Sequence, residues 1–130
     1  MKADSERREK LRFRPKDATF VALRPNFVKL GKLLDINRSG LCFQYISRKD
    51  TTEETVLVDI DMFISSNGYY LPNVTCLLIY DEKIKKDSTH FIDLEYRRCG
   101  LQFDQLTRQQ ADMLELYLQQ HTEILEQAVS

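Results

Sequence analysis

Along most of the chain, apolar and polar positions change every second residue. Val56, Val58, Ile60, Met62 and Ile64 alternate with partners that include Asp59 and Asp61, the period of a half-buried strand. Ile92, Leu94 and Tyr96 alternate with Asp93, Glu95 and Arg97, and Gly100–Phe103 closes the β portion. Between turn-like breaks, Ala18–Leu23, Phe27–Ile36, Leu41–Ser47 and Tyr69–Asp81 also read as strands. The breaks are Arg24-Pro25-Asn26, Asn37-Arg38-Ser39-Gly40, the polar Arg48–Glu54 and the charged Glu82–Asp87. Ser65-Ser66-Asn67-Gly68 carries Asn-Gly, the strongest short hairpin signal. Pro72 lacks an amide proton, so it predicts an edge position or a bulge near the start of its strand. About six short strands with regular turns predict a small, closed or nearly closed antiparallel barrel.

The period changes after Leu106. Thr107 with Gln110 three residues later is a capping box, and Gln109–Gln127 reads as a helix. Leu114, Tyr117, Leu118, His121, Leu125 and Ala128 form its apolar stripe, and Asp112, Glu115, Gln119, Gln120, Glu123 and Glu126 its polar side. That pattern suits a helix lying across the barrel, with part of the stripe available to a second copy. A monomer or weak homodimer is expected.

Composition narrows the class. The 130 residues are 42% hydrophobic and 30% charged, with a net charge of −1, as in an ordinary one-domain globular protein. The near balance of charge excludes a broad polyanion binder, so no nucleic acid is expected as partner. No apolar stretch is long enough to span a bilayer, so no membrane insertion and a cytoplasmic location are expected. Cys42, Cys76 and Cys99 have no metal-site spacing and sit in apolar strand-like runs, which makes them small buried hydrophobes. His90 and His121 are far apart, and no metal is expected. No nucleophile elbow, phosphate loop or zinc motif occurs, so the chain is not expected to be an enzyme.

The net charge conceals a polarity. Residues 1–16 hold seven cationic against three anionic side chains, a net of +4, which leaves −5 for residues 17–130. Residues 1–16 therefore read as a mobile basic arm, 17–106 as the barrel and 107–127 as the helix. The arm contains Arg7-Arg8-Glu9-Lys10-Leu11-Arg12, and the turn after the second run is Asp35-Ile36-Asn37-Arg38-Ser39-Gly40. Arginine on such an arm can fork onto phosphate oxygens or the guanine O6/N7 edge, and can stack on the ring. An Asp beside a turn can accept the guanine N1–H and exocyclic amine. A small echo, Gly-Leu-x-Phe at Gly40–Phe43 and again at Gly100–Phe103, puts a glycine ahead of inward apolar residues.

This order of motifs resembles the PilZ domain family: an RRxxxR arm, a strand pair, a D-x-S-x-x-G-like turn, a barrel and a C-terminal helix. The resemblance implies a mainly β fold, a six-stranded antiparallel (split) barrel with a C-terminal α-helix. It implies binding of the bacterial second messenger cyclic di-GMP, with no other cofactor. Residue by residue, Arg8 and Arg12 match the RxxxR pair and Arg7 the frequent extra arginine, while Asp35 and Gly40 match the ends of the second motif. Asn37 stands where the family usually has Ser, and Arg38 within the motif is a further candidate phosphate contact. The function so implied is a receptor that closes its arm over the ligand and signals to a protein partner. The alternative is a PilZ-like interaction adaptor that no longer reads nucleotide.

Overall fold

The computed structural model describes residues 11–24, 29–48, 56–84 and 94–125. Arg7, Arg8, His90, Ile92, Ala128 and most of the Arg48–Glu54 loop lie outside the described residues. Eight strands and one helix follow in chain order. They are β1 (Phe13–Pro15), β2 (Thr19–Arg24), β3 (Leu30–Ile36), β4 (Gly40–Arg48), β5 (Leu57–Ile64), β6 (Tyr70–Lys83), β7 (Leu94–Gln105), α1 (Arg108–Gln120) and β8 (Thr122–Ile124).

Every pairing is antiparallel. The order β2-β5-β6-β7-β4-β3 returns to β2 through a β2–β3 pairing, so six strands close a barrel without an edge. Inward residues of all six strands fill it, among them Val21, Leu33, Phe43, Ile60, Val74 and Leu101. Cys76 and Cys99 belong to that core, and Cys42 is also buried. The two runs Leu94–Arg97 and Gly100–Phe103 are one strand, β7, which pairs with β4 along nine positions.

Local signals explain the joints. Gly68 adopts φ +79° in the β5–β6 hairpin, where Ile64 N–H donates to the Tyr69 carbonyl at 3.0 Å. Pro72 lies in a bulge rather than at an edge. Pro72 and Asn73 together face Asp61, and Asn73 takes φ 57°. The bulge is tied down twice: Asn73 N–H donates to Asp61 Oδ1 at 2.9 Å, and Gln110 Nε2 donates to the carbonyls of Pro72 and Asn73. Gln110 is also the far member of the capping box, its Oε1 accepting from Thr107 N–H. One glutamine thus fixes both the start of α1 and its place on the barrel.

Helix α1 closes that end by burying Leu114, Tyr117 and Leu118, each contributing roughly 1.5–3 kcal/mol. Tyr117 hydroxyl lies 2.6 Å from Thr19 Oγ1, and its ring is 5.2 Å from that of Tyr69. At the other end the interior is polar: Tyr45, Lys29 and Arg97 all donate to Asp81.

Two boundaries differ from the sequence reading. The helix ends at Gln120 rather than Gln127. Thr122 Oγ1 turns back onto the Leu118 carbonyl, and Thr122–Ile124 then pairs as β8 with β1. The last residues assigned to the basic arm, Phe13–Pro15, are that strand β1, seated between β3 and β8. The cause is shared. A strand hydrogen-bonded along one side leaves a row of main-chain groups open on the other, and β8 supplies their partners.

Candidate functional site

The site is built on the outer face of β3, β4, β7 and β6. Asp35 stands opposite Cys42, Cys42 opposite Gly100, and Gly100 opposite Tyr80, one row across four strands. Residues directly opposed in a sheet share a face. Two bulges create the row. The β3–β4 register shifts between Leu33 and Asp35, and the β6–β7 register between Leu78 and Tyr80. An unbroken β3 would send Asp35 inward with Leu33, two residues before it, since one residue of slip reverses every side chain. The Leu34 bulge turns it out, and the Ile79 bulge does the same for Tyr80.

The floor is flat because Gly100 has no side chain. A Cβ there would stand 2.2 Å from the Tyr80 ring, which lies across the strand with its hydroxyl donating to Cys42 Sγ at 3.2 Å. Burial raises the Cys42 thiol. Burial and the bond to Cys42 push Tyr80 up to about 12. Both groups are therefore neutral at ordinary pH. The Gly-Leu-x-Phe echo acquires a structural meaning here. Its two copies pair with one another about Leu41↔Leu101, so Gly40 and Gly100 both open the same surface.

The rim supplies the charge. Arg12 Nη1 donates to Asp35 Oδ1, so the arm and the turn motif, 23 residues apart, meet at one point. The arginine side chain is half-exposed and the aspartate only 22% exposed. Beside them lies an open cleft of about 410 Å³ lined by Arg12, Ser39, Gly40, Tyr80, Gly100 and Gln102, among others.

The Asn37–Gly40 turn is rigid from within. Asn37 Oδ1 accepts from Ser39 N–H, Ser39 Oγ and Gly40 N–H, each at 2.9 Å, and Asn37 N–H donates to the Gly40 carbonyl. Asn37 is buried and lines the inner wall of the cleft. Arg38 points the other way. Its Nε donates to Glu115 of α1 at 2.5 Å, and its guanidinium stands 6.0 Å from the Phe13 ring. Of the residues expected from sequence, the structure thus gathers Arg12, Asp35, Asn37 and Gly40 and turns Arg38 toward the helix. Arg7 and Arg8 lie outside the described residues. Sequence reasoning missed Tyr80, Gly100 and Gln102. The echo was the one available signal for the last two.

A second cleft of about 490 Å³ lies near Arg24, Asp61 and Tyr70, and its polar groups serve the fold. Asp61 accepts from Arg24, Tyr70 and Asn73 N–H, which secures the Pro72 bulge. Among the described residues no helix is long and apolar enough to cross a membrane.

No family model and no curated protein matches the chain. Among solved structures it is similar to the crystal structure of the Borreliella burgdorferi PlzA protein in complex with c-di-GMP, with 16% identity and a TM-score of 0.46. The match covers 88% of this chain and 49% of that one, so this chain spans about half its length. The fold itself is the one the sequence resemblance implies. Six antiparallel strands close into a barrel and a helix follows at the C-terminal side.

Proposed function

We propose that this chain is a cyclic di-GMP receptor domain that binds the ligand in the cleft between the Asn37–Gly40 turn and Tyr80. The observation that carries the reading is the Arg12–Asp35 contact, which joins the two motifs at the cleft rim. The chemistry of each wall suits a guanine dinucleotide. Arg12, with Arg7 and Arg8 from the arm, offers forked donors to phosphate oxygens and to guanine O6/N7. Asp35 offers an acceptor for guanine N1–H and the exocyclic amine. Tyr80 over Gly100 offers an apolar ring face.

Binding and closure over the cleft are coupled. The ligand's two negative charges meet arginines of the +4 segment 1–16, whose part ahead of β1 closes over the cleft and makes a composite surface for a protein partner. The domain acts as a cytoplasmic binding module, not a catalyst.

One observation favours the adaptor reading, in which nucleotide binding has been lost. Asn37, in place of Ser, spends its carbonyl oxygen on the turn rather than on the cleft. Titration calorimetry decides between the two. The receptor reading expects saturable heat at tens of micromolar cyclic di-GMP in moderate salt. Arg12→Ala then weakens binding about ten- to a hundredfold, the worth of one bidentate arginine at roughly 1–3 kcal/mol. Its melting temperature falls by less than about 4 °C, because a half-exposed ion pair contributes only about 0.2–1 kcal/mol. Absence of heat with the wild-type chain overturns the receptor reading.

A further inference from the structure

Arg38 sits inside the turn motif, yet its guanidinium leaves the cleft. It makes two contacts to Glu115 in the middle of α1, Nε to Oε1 at 2.5 Å and Nη2 to Oε2 at 3.3 Å. The same group stands over the ring of Phe13, the residue after Arg12. Phe13 begins β1, whose pairing with β3 is at Ile36, next to Asp35. On its other side β1 pairs with β8, the strand that follows α1, and Leu125 N–H donates to the Arg12 carbonyl at 2.9 Å. Arg14 repeats the link through Glu123 at 2.6 Å. Both cationic and anionic rims of the cleft, Arg12 and the Asp35–Gly40 turn, are therefore anchored to one unit, α1–β8.

We propose that Arg38 is a positioning residue rather than a phosphate contact, and that Glu115 of α1 acts through it to set the turn against Arg12. The proposal rests on the cyclic di-GMP reading of the cleft. The turn holds its own shape through Asn37, so what Arg38 fixes is the placement of the whole turn. A second external tie, Phe103 N–H to the Ser39 carbonyl at 2.8 Å, holds the β7 side. Arg38 holds the α1 side. It also covers Phe13, and so restrains the main chain that delivers Arg12. The helix thereby becomes mechanically connected to the occupancy of the cleft.

The two roles for Arg38 make opposite predictions for Glu115. If Arg38 grips phosphate, Glu115 competes with the ligand, and Glu115→Gln tightens binding. If Arg38 positions the turn, Glu115→Gln weakens binding even though it removes a negative charge near a dianion's site. The test is a double-mutant cycle by titration calorimetry with cyclic di-GMP, using wild type, Arg38→Ala, Glu115→Gln and the double variant. Positioning predicts that each single change weakens binding about two- to fivefold, the scale of an exposed ion pair. The double variant is then no weaker than either single. The charge-swapped pair Arg38→Glu with Glu115→Arg recovers affinity, and Arg38→Ala leaves the salt dependence of Kd unchanged. Tighter binding by Glu115→Gln, a shallower salt dependence in Arg38→Ala, or wild-type affinity in both single variants overturns the proposal. A wild-type chain that gives no heat overturns the receptor reading itself, and this proposal with it. Wild-type heat with unaltered variants overturns the positioning role alone.

Discussion

Two glycines show how single residues shape the surface, and they differ in what surrounds them. A Cβ on Gly40 would meet the main-chain carbonyl oxygen of Leu101 at 2.2 Å, which cannot move without moving β7. A Cβ on Gly100 would meet the Tyr80 ring at the same distance, and a ring can swing away. Gly40→Ala should therefore destabilise the fold more than Gly100→Ala, the latter costing about 1–2 kcal/mol as mild overpacking. Gly100→Ala should also lift Tyr80 off Cys42 and speed labelling of that buried thiol by a thiol reagent under native conditions. Equal stability losses, or unchanged labelling, would show that Tyr80 does not cover Cys42 as described. At this scale the sequence was legible where chemistry and spacing coincide, as at Arg12, Asp35 and Gly40. Tyr80 was illegible because its outward aim depends on a bulge at Ile79, and neither Gly nor Pro marks that bulge.

At the scale of elements, alternation in β5 and the Asn-Gly hairpin were readable because each depends on neighbours in sequence. Pro72 gave away its bulge for the same reason: a residue without an amide proton breaks the ladder locally. The end of α1 was not readable. Leu125 continues the apolar stripe at helical spacing, yet its N–H belongs to the Arg12 carbonyl, a partner more than a hundred residues away. Tertiary pairing overrode local period there. Gln110 carries the opposite lesson, since its capping-box role was plain while its hold on the bulge was not. Gln110→Ala should accordingly cost more than an exposed cap alone, which is worth about 1 kcal/mol. A value near 2–3 kcal/mol by urea unfolding is expected, because two carbonyls of the bulge lose their donor. A loss no larger than that of Thr107→Ala would show the bulge contacts to be energetically silent.

For the whole molecule, closure of six strands does more than bury a core. It fixes β3, β4, β7 and β6 side by side, so a row can run from Asp35 to Tyr80 across residues far apart in sequence. The net +4 of residues 1–16 against −5 for residues 17–130 disfavours extended polyanions, and the ligand proposed is one small dianion. Everything proposed for the domain depends on where that ligand binds. Amide NMR shifts followed during addition of cyclic di-GMP test it most directly. Saturable shifts should centre on the amides of Gly40, Cys42, Tyr80 and Gly100, with those near Arg24 and Asp61 unmoved. No shifts at tens of micromolar ligand, or shifts confined to the Arg24–Asp61 cleft, would contradict it.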